Sequence, residues 1–318
     1  MIDNYTLTTK ENLEQRFEMA ISDIYFAHQP IYGFRTPFAD TSNIARYMVT
    51  ASILNAFGKY SFSNFVDIGA AEGYTANLVK NIFKVPVRAT DLSTNACRMA
   101  KMVYNIEAYP ADVHHLPFND NEFEAVLCSE TLEHVTDYRA AITELLRICS
   151  KVLVITVPHE TPEIVAQNIA ENKPHGHIHY FDINTLDYLR EMGYSVEYEK
   201  TLSPLLILPR VIVEGFKKHL RFFPYNLYNV TTPFWQRIFS IKSANRLVDL
   251  DVKFTKLFNL YGGITFTITK KGVSKREKIM KIKAREFTNQ IVDPVNISNL
   301  NHTNITRYDS IELGNESK

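Results

Sequence analysis

The sequence has no excess of charge of either sign, because its 35 lysines and arginines balance 35 aspartates and glutamates. Proteins that bind nucleic acids usually show a basic excess or a basic stripe on one face. The neutral balance therefore argues against DNA or RNA as a partner.

Long apolar runs are also missing. The most apolar stretch, residues 202–213, is interrupted by Pro204, Pro209 and Arg210. It is well short of the roughly 20 apolar residues that a membrane-spanning helix needs. The opening residues show neither the basic segment nor the apolar segment of a secretory signal. We therefore expect no transmembrane segment, with peripheral contact with a membrane left open.

Cysteine is scarce, with three residues in a chain of 318. Cys97, Cys128 and Cys149 lie in apolar contexts, which is typical of buried thiols in a reducing compartment. We expect a cytoplasmic protein.

The central feature of the sequence is the stretch NFVDIGAAEGYTANLVK, residues 64–80. An apolar strand is followed by a run with little side-chain bulk, from Gly69 to Gly73, and then by helical spacing over 75–82. Strand, glycine turn and helix form the opening unit of a nucleotide-binding α/β domain, in which glycines let the backbone approach a ligand.

A third glycine, which a dinucleotide loop requires, is absent. Gly69 and Gly73 bracket Ala71, and Tyr74 occupies the position that the third glycine would need. The loop therefore favours a nucleotide ligand without a diphosphate and argues against a nicotinamide-dependent oxidoreductase.

Strands and helices alternate after this loop, which predicts a parallel sheet with right-handed crossovers. The predicted strands cover 65–68, 85–90, 106–110, 123–129, 152–157, 194–199 and 263–269, and the predicted helices follow Ser93, Thr136 or Asp137, and Asn184. Residues 61–272 are thus predicted to form one α/β domain.

Three further segments surround this domain. In the extension over residues 1–60, residues 1–12 are expected to be loose, with helices over 13–24 and 42–57 that form either a lid over a pocket or a cover for a sheet edge. The aromatic insertion over residues 203–261 is either a helical pair packed on the sheet or an apolar cap for a substrate or a lipid surface. Residues 273–318 are predicted to be a polar tail.

Acidic residues follow three successive strands, where ligands of open α/β sheets bind. Asp67 lies in the first strand, Asp91 ends the second, and Asp112 follows the third. A single aspartate at such a place is more often a turn or helix cap, but three in series indicate a nucleotide site. Asp91 is placed to hold ribose hydroxyls, and Asp112 with the N–H of Val113 is placed to bind a purine.

Five runs of the sequence together resemble the class I S-adenosylmethionine-dependent methyltransferases. They are VDIGAAEG, ATDLS, ADVHHLPFNDNEFEAVLCSETLEHV, VLVITVPHE and HIHYFDINTLDYLREMGY. The resemblance covers about residues 60–200 and implies a Rossmann-like, seven-stranded mixed sheet with an antiparallel last strand and helices on both faces. It implies S-adenosylmethionine as cofactor, bound by Asp67, Gly69, Ala71, Gly73, Asp91, Leu92, Asp112, Val113, Ser129 and Glu130. Ala71 departs from the family, which often has glycine there.

Methyl transfer requires mainly positioning of donor and acceptor, and a base only where the acceptor must lose a proton. His134, after the fourth strand, is the candidate catalytic residue. The alternating His175, His177 and His179 suggest a metal, but no carboxylate at a suitable spacing completes a site, so no metal is predicted.

The predicted function is methyl transfer to a small or medium-sized acceptor, with an oxygen atom of a metabolite, glycan or lipid-like molecule preferred. The alternative is a non-catalytic, S-adenosylmethionine-binding regulatory protein. The oligomeric state and the acceptor's identity are left open.

Overall fold

The computed structural model describes residues 4–18, 20–21, 24–25, 41–173, 176–202, 252–257, 259–282 and 295–296. Its helices are α1 (Asn4–Glu18), α2 (Thr41–Phe57), α3 (Tyr74–Phe83), α4 (Thr94–Tyr104), α5 (Tyr138–Ile148), α6 (Pro162–Ala170) and α7 (Tyr188–Glu191). Its strands are β1 (Ala20–Ile21), β2 (Ile24–Tyr25), β3 (Phe65–Ile68), β4 (Val87–Asp91), β5 (Glu107–Pro110), β6 (Phe123–Ser129), β7 (Cys149–Pro158), β8 (Ser195–Thr201), β9 (Gly263–Thr269) and β10 (Val295–Asn296).

Within the described chain, seven strands form one mixed sheet in the order β5-β4-β3-β6-β7-β9-β8. Strands β3 to β7 pair in parallel, and β9 runs antiparallel to both of its neighbours, β7 and β8. The sequence-based fold prediction is confirmed. The strand order reverses between β3 and β6, and a crevice for ligands forms at the carboxyl ends of such strands.

The central strands are buried on both faces, because helices cover both sides of the sheet. All four residues of β3 and all seven of β9 are buried. On one face Phe57 of α2 packs edge-on against Phe65, with ring centroids 5.3 Å apart. On the other face α5 contributes Ile142 and Leu145 to a second apolar cluster. This two-sided burial explains the nearly continuous apolar runs of these strands.

The predicted bounds of β3, β6 and β9 match the structure, whereas two helices differ. The helix expected after Asn184 is only the short α7, because the carboxylate of Asp182 accepts the N–H of Asn184 and forms a turn there. Helix α6 was not predicted, although Thr161 and Pro162 provide a typical helix start.

The predicted loose segment over residues 1–12 was wrong, because α1 begins at Asn4. The helix predicted over 13–24 also ends early, at Glu18, and β1 and β2 follow it. Helix α1 is mostly polar, and it docks through Glu14 on the first turn of α4. A polar contact between distant residues cannot be predicted from the spacing of apolar residues in the sequence.

Most of the aromatic insertion, residues 203–251, lies outside the described residues, while residues 252–257 are helical. The start of the predicted tail contacts the end of the N-terminal extension. Nε of Arg276 donates to the carbonyl of Tyr60 at 2.6 Å, and the N–H of Met280 donates to the carbonyl of Gly58. The domain boundaries stay a prediction. Among the described residues, we find no helix with the length and apolar character needed to cross a membrane.

Candidate functional site

A cavity of about 440 Å³ opens at the carboxyl ends of β3, β4 and β6, where the strand order reverses. Its volume lies within the roughly 300–1,000 Å³ that is usual for small-molecule sites. Eight of the ten predicted cofactor residues line it, together with His134. These eight are Gly69, Ala71, Asp91, Leu92, Asp112, Val113, Ser129 and Glu130.

Asp91 connects the end of β4 to the glycine loop. Its Oδ2 accepts the backbone N–H of Ala71 at 2.8 Å, and its Oδ1 accepts that of Ser93 at 2.9 Å. Burial raises the pKa of Asp91 to about 6, and the two backbone hydrogen bonds oppose that rise. Since each carboxylate oxygen can accept two hydrogen bonds, the acceptor capacity that faces the cavity suits ribose hydroxyls.

The glycines of the loop are required by protein neighbours more than by a ligand. Gly69 has φ +73°, and a Cβ there would come within 2.9 Å of Cγ2 of Thr131 and closer still to its Oγ1. Gly73 has φ +75°, and its Cβ would lie 3.1 Å from that of Ala100 in α4. Ala71 takes a left-handed φ of +46° despite its side chain.

Asp67 and Gly73 are the two predicted cofactor residues that do not border the cavity. Asp67 lies behind the loop, only 2% exposed, and accepts the backbone N–H of Ala76. Burial, and next the charge of Asp91, raise the pKa of Asp67 to about 8. Asp67 therefore supports the start of α3 from inside, because its side chain points into the protein.

Asp112 is held by its own loop. Its Oδ1 accepts the backbone N–H of His114 at 2.9 Å and lies 2.7 Å from the ring Nδ1 of that histidine. Nε2 of His114 lies 3.1 Å from the carbonyl of Asp137, so the histidine fixes the carboxylate against the start of α5. His114 borders the cavity, whereas His115 is exposed and does not.

The opposite end of the cavity is formed by the loop after β6. Oγ of Ser129 lies 2.7 Å from Oγ1 of Thr156, and that hydroxyl is 3.0 Å from Oε1 of Glu130. Glu130 has φ +51°, a conformation that L residues with side chains rarely adopt. Burial raises the pKa of Glu130, while the hydrogen bond from Thr156 lowers it.

His134 follows on a single 3₁₀ turn, Leu132–His134. The segment 176–179 runs beside it, since the N–H of Ile178 donates to the carbonyl of Glu133 at 2.8 Å and Nε2 of His179 lies 2.6 Å from that of Val135. The rings of His134 and His177 meet edge to face, 4.9 Å apart. His175 lies outside the described residues.

Helices α1 and α2 cover the cavity, which supports the lid alternative for the N-terminal extension. Glu14 fixes α1, because its carboxylate accepts the N–H groups of Thr94 and Asn95 and the hydroxyl of Ser93. Burial raises the pKa of Glu14, but these hydrogen bonds outweigh that effect and hold it below its usual value. The lining residues from the two helices are Tyr5, Thr6, Thr9, Leu13, Arg16, Phe17, Arg46, Val49, Thr50 and Ile53.

Sequence reasoning missed these helix residues and also Glu133 and His177 as part of the wall. The signal for Glu133 was present, because it directly precedes the candidate His134 in the sequence. The signal for α1 was weak, because its residues are mainly polar.

The lining fits a cationic nucleoside. Carboxylates of Asp91, Asp112 and Glu130 border one continuous space, and Asp91 is only 7% exposed. A ligand with vicinal hydroxyls, an amino-purine and a sulfonium would supply donors and a positive charge to these acids.

Comparison with known proteins gives a consistent result. The model of a methyltransferase domain family matches residues 66–152. An uncharacterized protein of Methanocaldococcus jannaschii is 35% identical over 95 residues, which are 29% of this chain and 40% of that protein. An O-methyltransferase of Pyrenophora dematioidea is 22% identical over 116 residues, which are 34% of this chain and 43% of that enzyme. The matches thus span less than half of the length of these relatives.

Among solved structures, the magnesium protoporphyrin IX methyltransferase of Synechocystis PCC 6803 with bound S-adenosylhomocysteine has a TM-score of 0.51. The match covers 84% of this chain and 100% of that chain at 12% identity, which shows a shared fold. Residues 66–152 thus match a methyltransferase domain, and the strand order and the shared fold are those of a Rossmann-like methyltransferase.

Proposed function

We propose that the protein transfers the methyl group of S-adenosylmethionine to an oxygen atom of a small or medium-sized acceptor. The observation that carries this proposal is the single cavity that joins Asp91 and Asp112 at one end to Glu130 and His134 at the other. One space of this kind can hold the nucleoside and the acceptor side by side, as direct methyl transfer requires.

The residues on the nucleoside side have separate roles. Asp91 accepts the ribose hydroxyls, Asp112 and the N–H of Val113 bind the adenine, and the loop of Gly69 and Ala71 follows the methionine part. Ser129 and Glu130 border the sulfonium, which the carboxylate of Glu130 stabilises. Asp67 and Gly73 act on binding only through the conformation of the loop.

S-adenosylmethionine supplies an already activated methyl group. The protein's contribution is to hold the acceptor in line and to exclude water, effects that can be worth about 7–11 kcal/mol. Helices α1 and α2 exclude water from the site, because they cover the cavity. His134 is the candidate for the group that acts on the acceptor's proton.

An oxygen acceptor is supported by the curated O-methyltransferase that matches this chain and by the candidate base beside the sulfonium end. The neutral charge and the covered cavity favour a metabolite or a glycan or lipid-like molecule over nucleic acid. A cytoplasmic location follows as part of the same proposal.

Calorimetry with S-adenosylmethionine and, separately, with NAD tests the first half of this proposal. We expect saturable binding of S-adenosylmethionine and none of NAD, and the reverse result would overturn the assignment. The second half is tested by release of S-adenosylhomocysteine with a panel of hydroxylated acceptors. Binding without turnover across such a panel would favour the non-catalytic alternative.

A further inference from the structure

Two histidines and a carboxylate converge at the acceptor end of the cavity. In Glu133, His134 and His177, one ligand atom from each residue lies within 4.8 Å of those from the other two. All three residues border the cavity. Their separation in sequence explains why histidine spacing alone predicted no metal, since the carboxylate comes from the loop after β6.

Glu133 is the strongest element of this cluster. It is 1% exposed, and its Oε2 has no hydrogen-bond partner, while Oε1 lies 3.7 Å from Nε2 of His134. A buried carboxylate oxygen without a partner carries a large desolvation cost, which a bound cation would offset.

The histidines are oriented by neighbours on their other ring atoms. Nδ1 of His134 lies 3.3 Å from the carbonyl of Gly176. With its proton there, Nε2 is the unprotonated nitrogen and faces Glu133. This is the usual arrangement of a metal-binding histidine, whose second nitrogen donates to a carbonyl or carboxylate.

His177 has a carboxylate beside one of its ring nitrogens. Its Nδ1 lies 3.0 Å from Oε2 of Glu160, a charge contact in which the ring is not aligned for a hydrogen bond. Nε2 is then the ring nitrogen left for a cation. Asn168 holds the backbone at this place, because its Nδ2 donates to the carbonyl of His177 at 3.3 Å.

We propose that Glu133, His134 and His177 bind a divalent transition-metal cation whose open positions face the cavity. Two imidazoles with one carboxylate suit Mn²⁺, Fe²⁺, Co²⁺ or Zn²⁺, whereas Mg²⁺ and Ca²⁺ prefer oxygen ligands throughout. Glu130, also on the cavity wall, adds negative charge on the same side.

The role of this metal site in the reaction rests on the proposed function. A hydroxyl of the acceptor occupies an open position of the metal, which lowers the hydroxyl's pKa and fixes its oxygen. The proton leaves to water, and the oxygen uses a lone pair to form the bond to the methyl carbon. The carbon–sulfur bond breaks with its electrons going to sulfur. The metal is unchanged, and His134 acts as its ligand instead of as the general base.

Metal binding is measured on the full chain after treatment with a chelator, by equilibrium dialysis and electron paramagnetic resonance with Mn²⁺. We expect about one Mn²⁺ per chain and weaker binding of Mg²⁺. His177→Gln and Glu133→Gln should weaken Mn²⁺ binding more than 100-fold, and Glu160→Gln about 10- to 100-fold, the range for groups that orient a ligand. His115→Gln, an exposed histidine outside the cluster, is the control.

The affinity for S-adenosylmethionine is measured on the same samples. Retained cofactor binding in His177→Gln shows that the variant is folded and separates the two proposals. Wild-type protein without stoichiometric Mn²⁺, or His177→Gln with unchanged Mn²⁺ affinity, overturns the metal site. Mn²⁺ binding without any affinity for S-adenosylmethionine would overturn the proposed function and leave the site standing.

Discussion

The carboxylate of Asp91 and the backbone N–H of Ala71 are joined by a hydrogen bond of 2.8 Å, which connects the end of the second parallel strand to the glycine loop. The same carboxylate also accepts the N–H of Ser93 at the start of α4. Asp91 therefore shapes the loop from below and presents its remaining acceptor capacity to the cavity.

Replacement of Asp91 by alanine should weaken binding of S-adenosylmethionine by about 10- to 100-fold, because hydrogen bonds to a charged group are worth roughly 1.5–3 kcal/mol. The melting temperature should fall as well, since the N–H groups of Ala71 and Ser93 lose their acceptor. Calorimetry and thermal unfolding measure the two effects. Asp187→Ala, which removes only an exposed ion pair with Arg190, is the matched control. Unchanged affinity in the Asp91 variant would remove this residue from the site.

Asp67 should make the stability of the ligand-free protein decrease as the pH rises. Its pKa is raised from 3.8 to about 8 in the folded protein, first by burial and then by the charge of Asp91. Between about pH 4 and 8 the native state retains a proton that the unfolded chain has lost, so the free energy of unfolding falls with increasing pH.

Urea unfolding at pH 5, 6 and 7 measures this slope in the wild type and in Asp67→Asn. The free energy of unfolding of the variant should change less steeply with pH than that of the wild type, by up to about 1.4 kcal/mol per pH unit. Glu130 and Glu133, whose pKa values are also raised by burial, contribute with the same sign in both proteins. The difference therefore reports Asp67 together with its coupling to Asp91. Equal slopes would contradict the assignment of Asp67 as a buried, protonated group.

Glu14 should determine whether α1 stays on the cavity. Its carboxylate satisfies N–H groups at the start of α4, where a negative charge also interacts favourably with the helix dipole. Glu14→Ala should lower the free energy of unfolding by about 1 kcal/mol and should weaken cofactor binding, because α1 forms part of the wall.

Hydrogen exchange at residues 94–96, together with calorimetry, measures this effect. Glu14→Gln retains an acceptor and should show a smaller loss, and Glu11→Ala, an exposed acid of the same helix, should show none. If Glu14→Ala leaves both exchange and affinity as in the wild type, α1 is not held by this contact.

Most of the sheet, and most of the cavity wall at the ends of β4 and β5, could be predicted from the sequence. Buried strands such as β6 have apolar runs that end at polar residues, and the acids at 91 and 112 lie directly after strands. Local pattern and position in the chain were sufficient there.

The pairing of residues 133–135 with 176–179 and the position of α1 could not be predicted, because they depend on contacts between distant segments. His177 reaches Glu133 only because the segment 176–179 is hydrogen-bonded along residues 133–135. Helix α1 has few apolar residues, and it is positioned by Glu14, 80 residues before its partner Thr94. Neither pairing leaves a periodic signal in the sequence.

The contact of Gly69 with Thr131 bears on how this fold can be altered. Residue 69 has no side chain because Thr131, in the loop after β6, fills that space. An exchange of residues 130–135 for those of a relative with another acceptor must therefore keep a side chain at 131 that fits against Gly69. Libraries that vary one of these two loops should therefore vary the other with it.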